Sequence, residues 1–275
     1  FPTRRSSDLI IKPGRPVVLA PQKEEARLVV ERIAAERAAP LTQVGRDVLF
    51  APWTHSLEGQ SLLIWSAEEQ SLVDDFIESG GRSNWQPVRL TIPLLGHHQV
   101  ENAATAYTAL RTANAAGLPI SEAAVQQGLR QTNWPGRFEV LRRDPPLVID
   151  SAHNRDSALK LRLAVDDYFP GKRVVLLFGA SEDKDIPGMF AELMPRVWQV
   201  IATQSIHPRA MPPEQLVALA HQFGVRARVV LPLEAALTEA LQLAGSEALV
   251  LATGSIFVAA AVRSAWQAMK PGADQ

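Results

Sequence analysis

Residues 146–154 read PLVIDSAHN. Leu147, Val148 and Ile149 run without alternation into Asp150, and His153 and Asn154 follow within four positions. A strand with one wet face alternates apolar and polar side chains, whereas a strand covered on both faces reads as a continuous apolar run. Runs of this kind recur at 174–178, 199–203, 227–231 and 248–252, and a further strand is expected at 138–141. After each strand from 147–150 onward comes a segment of helical period, at 157–169, 186–194, 213–223, 233–243 and 256–269. Strand and helix in this repetition predict an α/β fold around a mostly parallel, Rossmann-like sheet with helices on both faces.

Upstream the pattern is mixed. Residues 17–20 form a short strand candidate, and KEEARLVVERIAAERAA at 23–39 is a run of strong helix formers closed by Pro40. Further strands are expected at 61–65 and 88–92, separated by a polar stretch ending in Gly80 and Gly81. HQVENAATAYTALRTANAAG at 98–117 predicts a helix with Ala103, Ala106, Tyr107 and Leu110 on one face and Gly117 as its stop. A shorter helix at 121–129 leads to the turn WPGR at 134–137. The change of character places a domain boundary near Val140, dividing 10–139 from 140–275.

Composition narrows the functional classes. With 28 Lys and Arg against 29 Asp and Glu, no overall field draws the chain to nucleic acid or to an anionic membrane. Any anionic ligand must be held by local groups. The chain has no cysteine, which excludes disulfides, thiolate catalysis and thiolate metal sites and fits a cytoplasmic location. The longest uncharged run, 248–262, falls short of the ~18 apolar residues that span a bilayer. The opening nine residues, FPTRRSSDL, share no periodicity with the rest of the chain and look like a translated sequencing adapter.

In open parallel sheets, ligands bind beyond the carboxyl ends of the strands. DSAHN, GASEDKD, TQSIHPRA and TGS all fall there. Asp150 ends a buried strand, so its carboxylate must be paired or hydrogen-bonded, as a ligand contact or as a loop and cap residue. His153 is a titratable group or a neutral imidazole bonded to a carbonyl, and Asn154 is a ligand contact or a helix cap. Arg137, after a Pro-Gly turn, offers a planar fork of donors suited to a phosphate or a carboxylate; an ion pair is the plain alternative. Trp134 is expected to pack, and Asn102 lies near a helix start, where a local bond would satisfy it. The adjacent His97 and His98 point different ways and make no metal pair. Neither G-x-G-x-x-G nor G-x-x-x-x-G-K-[ST] occurs in the chain.

Read as a set, GHHQVENAATA, WPGRFEVL, IDSAHN, GASEDKD, HPRA and ATGS resemble the folylpolyglutamate synthase and dihydrofolate synthase family of the Mur ligase superfamily. The resemblance begins at IIKPGRPVVLAPQ and runs almost to the end. It implies the later part of a P-loop ATPase-type α/β domain followed by a glutamate ligase domain, with nucleotide as ligand. By the same resemblance, ATP would meet Asn102, Arg137 and Asp150, while His153 and Asn154 would line the phosphate or glutamate side. The expected reaction joins L-glutamate to a folate or to dihydropteroate through an acyl phosphate, with magnesium screening the charge and the protein acting as a monomer. The family's phosphate loop and main magnesium ligands would lie upstream of Ile10. Two rivals remain: another Mur-type amino-acid ligase, and a non-catalytic nucleotide-binding module.

Overall fold

The computed structural model describes residues 10–269, so the adapter-like segment lies outside the described residues. The chain divides into two compact units. One holds the residues up to Pro93 together with His97–Asn133; the other holds Leu94–Gly96 and everything from Trp134 onward. The division thus falls before the WPGR turn, not near Val140. The reason is local: Ser151 N donates to the Gly136 carbonyl at 2.9 Å, which fastens the turn to the second unit.

In the first unit, β1 (Val17–Leu19), α1 (Glu24–Glu36) and β2 (Leu41–Gln43) form a parallel pair with its crossover helix, Val17 lying opposite Leu41. Ile33 and Ala34 of α1 bury against Ile11 and Ala39. β3 (Val48–Ser56) and β4 (Gly59–Ser66) make an antiparallel hairpin, α2 (Gln70–Glu78) follows, and β5 (Val88–Ile92) returns along β4. α3 (His97–Ala115) and α4 (Glu122–Arg130) complete the unit. Three of these elements, β2, β3 and α2, are absent from the sequence reading. β3 carries Pro52 at a register shift, a place where an antiparallel strand tolerates a missing N–H. α2 buries only Val73 and Phe76 and so reads as polar. On α3 the buried face holds Ala103, Ala104, Tyr107 and Thr108, with Ala106 exposed, so the stripe is turned by one position from the expected one. Thr108 can lie inside because its hydroxyl donates to the Ala104 carbonyl at 2.8 Å.

The second unit follows the expected alternation closely. Its strands are β6 (Glu139–Arg143), β7 (Pro146–Ile149), β8 (Arg173–Phe178), β9 (Val197–Ala202), β10 (Arg226–Val229) and β11 (Ala248–Thr253). Its helices are α5 (Arg155–Tyr168), α6 (Ile186–Leu193), α7 (Pro213–Gln222), α8 (Leu233–Ala244) and α9 (Ile256–Met269). The sheet runs β10-β9-β8-β11-β7-β6, parallel throughout except for β6, which pairs antiparallel with β7. Side chains alternate between faces. Leu147, Ile149, Val175 and Leu177 pack against α8 and α9, while Phe178 turns to the other face and meets Phe190 of α6 edge-on at 4.9 Å. Both faces are covered, which is why these strands read as unbroken apolar runs.

The order of the strands locates the site. The chain leaves β7 and β8 into α5 and α6, and leaves β11, which lies between them, into α9 on the opposite face. Neighbouring strands whose connections depart to opposite faces leave a crevice at their carboxyl ends.

Candidate functional site

At this crevice the backbone is closely packed. Gly254, just after β11, has φ 107°, and a β-carbon on it would come within 2.6 Å of the Gly179 carbonyl oxygen beyond β8. Only glycine fits there.

Asp150 follows β7 and is buried, with 7% of its surface exposed. Its Oδ2 accepts the N–H of Phe138 at 2.8 Å, and its Oδ1 accepts the N–H of Ala152 at 2.7 Å. Burial pushes its carboxyl up to about 6, against the pull of those two N–H groups, of Arg137 and of His153. Phe138 has φ 42°, in the left-handed region that a bulky side chain rarely enters. Asp150 is therefore what holds the WPGR turn in a strained shape.

Ser151 adds a second hold, for its hydroxyl donates to the Gly136 carbonyl at 2.7 Å. Arg137, between these anchors, is half-buried, and its guanidinium lies 5.9 Å from the centre of the Trp134 ring. Trp134 is 60% exposed and does not pack into the core as expected. Among the described residues no carboxylate lies within ion-pair distance of Arg137. Its fork of donors is free for a ligand.

His153 is exposed, with Nδ1 3.0 Å from the Ser151 carbonyl oxygen. A carbonyl only accepts, so Nδ1 carries the proton and Nε2 is uncommitted. Asn154 caps α5: its Oδ1 accepts the N–H of Ser157 at 2.8 Å, and the Ser157 hydroxyl answers by accepting the N–H of Asn154 at 3.1 Å. The cap reading is the one the geometry supports for Asn154. Arg137, Asp150, His153 and Asn154 thus gather at one strand end, whereas Asn102 belongs to the first unit. There it is exposed on α3 and donates to Gln99 Oε1 at 3.1 Å, a side-chain partner in place of the expected backbone one.

Sequence reasoning gave no role to Ser151 or Glu139. Ser151 carries no local signal, because it reaches Gly136 only once β6 and β7 are paired in register, whereas Glu139 stands three residues after Gly136 and its bond to the turn is local. Among the described residues no three His, Asp or Glu side chains cluster as a metal set, so magnesium finds no carboxylate cage in them. ATP does fit, since an unpaired guanidinium on a fixed turn suits a polyanion. No helix among the described residues is long and apolar enough to cross a membrane.

The raised value at Asp150 has a definite sign. The folded value, about 6, stands above the ordinary 3.8, so proton uptake favours the folded state. The contribution is complete below the ordinary value and is lost as pH rises through about 6. It is worth on the order of 3 kcal/mol. Thermal midpoints taken between about pH 4 and about pH 7 should therefore differ in their pH dependence between the parent chain and Asp150→Asn. The variant should lack the loss of stability on raising the pH; identical profiles would show that Asp150 titrates normally.

A parallel sheet covered on both faces, with its polar groups gathered at the carboxyl ends, is the architecture of an α/β ligand-binding domain. Residues 136–256 match the family described as Mur ligase, glutamate ligase domain. The chain is 37% identical over 182 residues to a Halobacterium salinarum protein named "Probable bifunctional folylpolyglutamate synthase/dihydropteroate synthase", covering 65% of this chain and 21% of that one. Folylpolyglutamate synthase from Thermotoga maritima superposes with a TM-score of 0.71 at 26% identity, covering 96% of this chain and 56% of that one. Bifunctional folylpolyglutamate synthase/dihydrofolate synthase from Yersinia pestis, complexed with AMPPNP and Mn ion, gives 0.68 at 28% identity, covering 94% and 54%. The matched segment lies within the second unit, and the chain is similar over most of its length to proteins named folylpolyglutamate synthase and dihydrofolate synthase. It spans about half the length of these solved structures and about a fifth of the Halobacterium protein.

Proposed function

We propose that the chain is the later part of an ATP-dependent ligase that adds L-glutamate to folates, to dihydropteroate, or to both. In this reading the residues before Trp134 are the later part of the ATPase domain, and those from Trp134 onward are the glutamate ligase domain. The observation that carries it is Arg137, a guanidinium without a carboxylate partner on a turn pinned by Asp150 and Ser151. ATP activates the substrate carboxylate as an acyl phosphate, and the glutamate amine displaces phosphate. Arg137 supplies fixed positive charge to the nucleotide, Asp150 orders the turn that presents it, and His153 offers Nε2 as an acceptor on the same rim. Asn102 keeps the role of a nucleotide contact that the family resemblance gives it. The cytoplasm and a monomeric state go with this reading, as they do with the family resemblance.

The phosphate loop and the main magnesium ligands are assigned to a segment outside this sequence. In that case the 275 residues add no glutamate to folate above background, and fusing the upstream segment of the longer protein restores ATP-dependent addition, measured with labelled glutamate. Ligation by the chain as it stands would overturn that assignment. Limited proteolysis should leave a resistant fragment beginning near Trp134, since the second unit has its own sheet and core.

A further inference from the structure

We propose that Glu139 and Arg263 are positioning residues that act on Arg137 through the backbone of Gly136, an inference that rests on the reading of Arg137 as a nucleotide contact. The two carboxylate oxygens of Glu139, at the start of β6, are divided between two donors. Oε2 accepts the N–H of Gly136 at 2.7 Å, and Oε1 accepts Nε of Arg263 on α9 at 2.8 Å.

Three successive peptide groups are consequently held by three side chains. Glu139 holds the group between Pro135 and Gly136 through its N–H, and Ser151 holds the next through its carbonyl. Asp150 holds the third, between Arg137 and Phe138, through its N–H. The torsions of Arg137 are fixed by the second and third groups, those of Gly136 by the first and second. Gly136 has φ 75° and, lacking a β-carbon, is the residue of the turn with the widest freedom once released. A β-carbon would come within 3.1 Å of Ser151 Oγ, a tight contact, and the positive φ would strain any residue that carries one. Glu139 is therefore what removes that freedom, and Arg263 ties Glu139 to a helix packed on the sheet. An arginine set in place before the ligand arrives loses less conformational entropy on binding.

The experiment combines backbone and side-chain NMR of the whole chain with ADP titration. Glu139→Ala should speed hydrogen exchange at Gly136 by about tenfold or more. It should also lower the order parameters of the Arg137 backbone and Nε, with the Ala152 amide unchanged. Glu139→Gln combined with Arg263→Gln rebuilds an uncharged bridge and should restore the order of Arg137. ADP affinity should fall by roughly three- to tenfold in Glu139→Ala, and by nothing further when Arg137→Ala is already present. Unchanged order at Arg137 in Glu139→Ala, or an equal loss of affinity in both backgrounds, would reduce Glu139 to a tie between β6 and α9 and overturn the proposal. If Arg137→Ala leaves ADP affinity untouched in the chain fused to its upstream segment, the nucleotide reading falls by itself, and the exchange and order measurements still decide the positioning role.

Discussion

Replacing Arg137 by alanine should weaken nucleotide binding by about ten- to a hundredfold while leaving the thermal midpoint nearly unchanged. A hydrogen bond to a charged group contributes about 1.5 to 3 kcal/mol. Stability should change little because the guanidinium lies over the exposed ring of Trp134 at 5.9 Å and favours the ionised form of Asp150 without forming an ion pair with it. A cation held over an exposed ring is worth about 0.5 to 1 kcal/mol. ADP titration of the folded variant decides the matter, and parental affinity would remove Arg137 from the site.

The largest effect on stability is expected at Gly254. Alanine there must accept φ 107° and place its β-carbon 2.6 Å from the Gly179 carbonyl oxygen and 2.9 Å from the Phe178 ring. Neither neighbour can retreat: Phe178 is fully buried against Phe190, and the backbone at Gly179 is hemmed by the Thr203 carbonyl, 2.8 Å from where its own β-carbon would stand. Strain and overpacking together should cost about 3 kcal/mol or more. The thermal midpoint of Gly254→Ala should drop by about 6 °C or more. A midpoint at the parental value would mean that the ends of β8 and β11 are looser than described.

Much of the second unit is legible in the sequence because burial on both faces leaves a strong mark. The runs at 174–178 and 248–252 need no partner to be recognised as strands. The first unit is harder to read for the converse reason: β3 carries Pro52 at a register shift, and α2 shows only two buried residues. At the site, the sequence brings Asp150, His153 and Asn154 together by adjacency but does not say what each does. Asp150 reaches Phe138, twelve positions earlier, only through the antiparallel pairing of β6 with β7. Asn154 turns inward to cap α5 because Ser157 stands three residues on, a pairing visible in DSAHNRDS once the helix start is known. The left-handed Phe138 has no sequence signal, since asparagine or glycine would be the ordinary choice there.

The two outer strands of the second unit are both lined with arginine. On β10, Arg226 and Arg228 are exposed, Arg226 lying over the Trp198 ring at 5.6 Å and Arg228 paired with Glu239. On β6, Arg142 lies over Trp266 at 5.3 Å and Arg143 is exposed. A row of open backbone donors and acceptors is a template for strands of other molecules, and charge along that row is a defence against it. Here the defence is anchored, because rings beneath Arg226 and Arg142 keep those guanidiniums at the margin instead of letting them wander. Both ends of the sheet therefore carry fixed charge that opposes its growth by pairing with strands of other molecules.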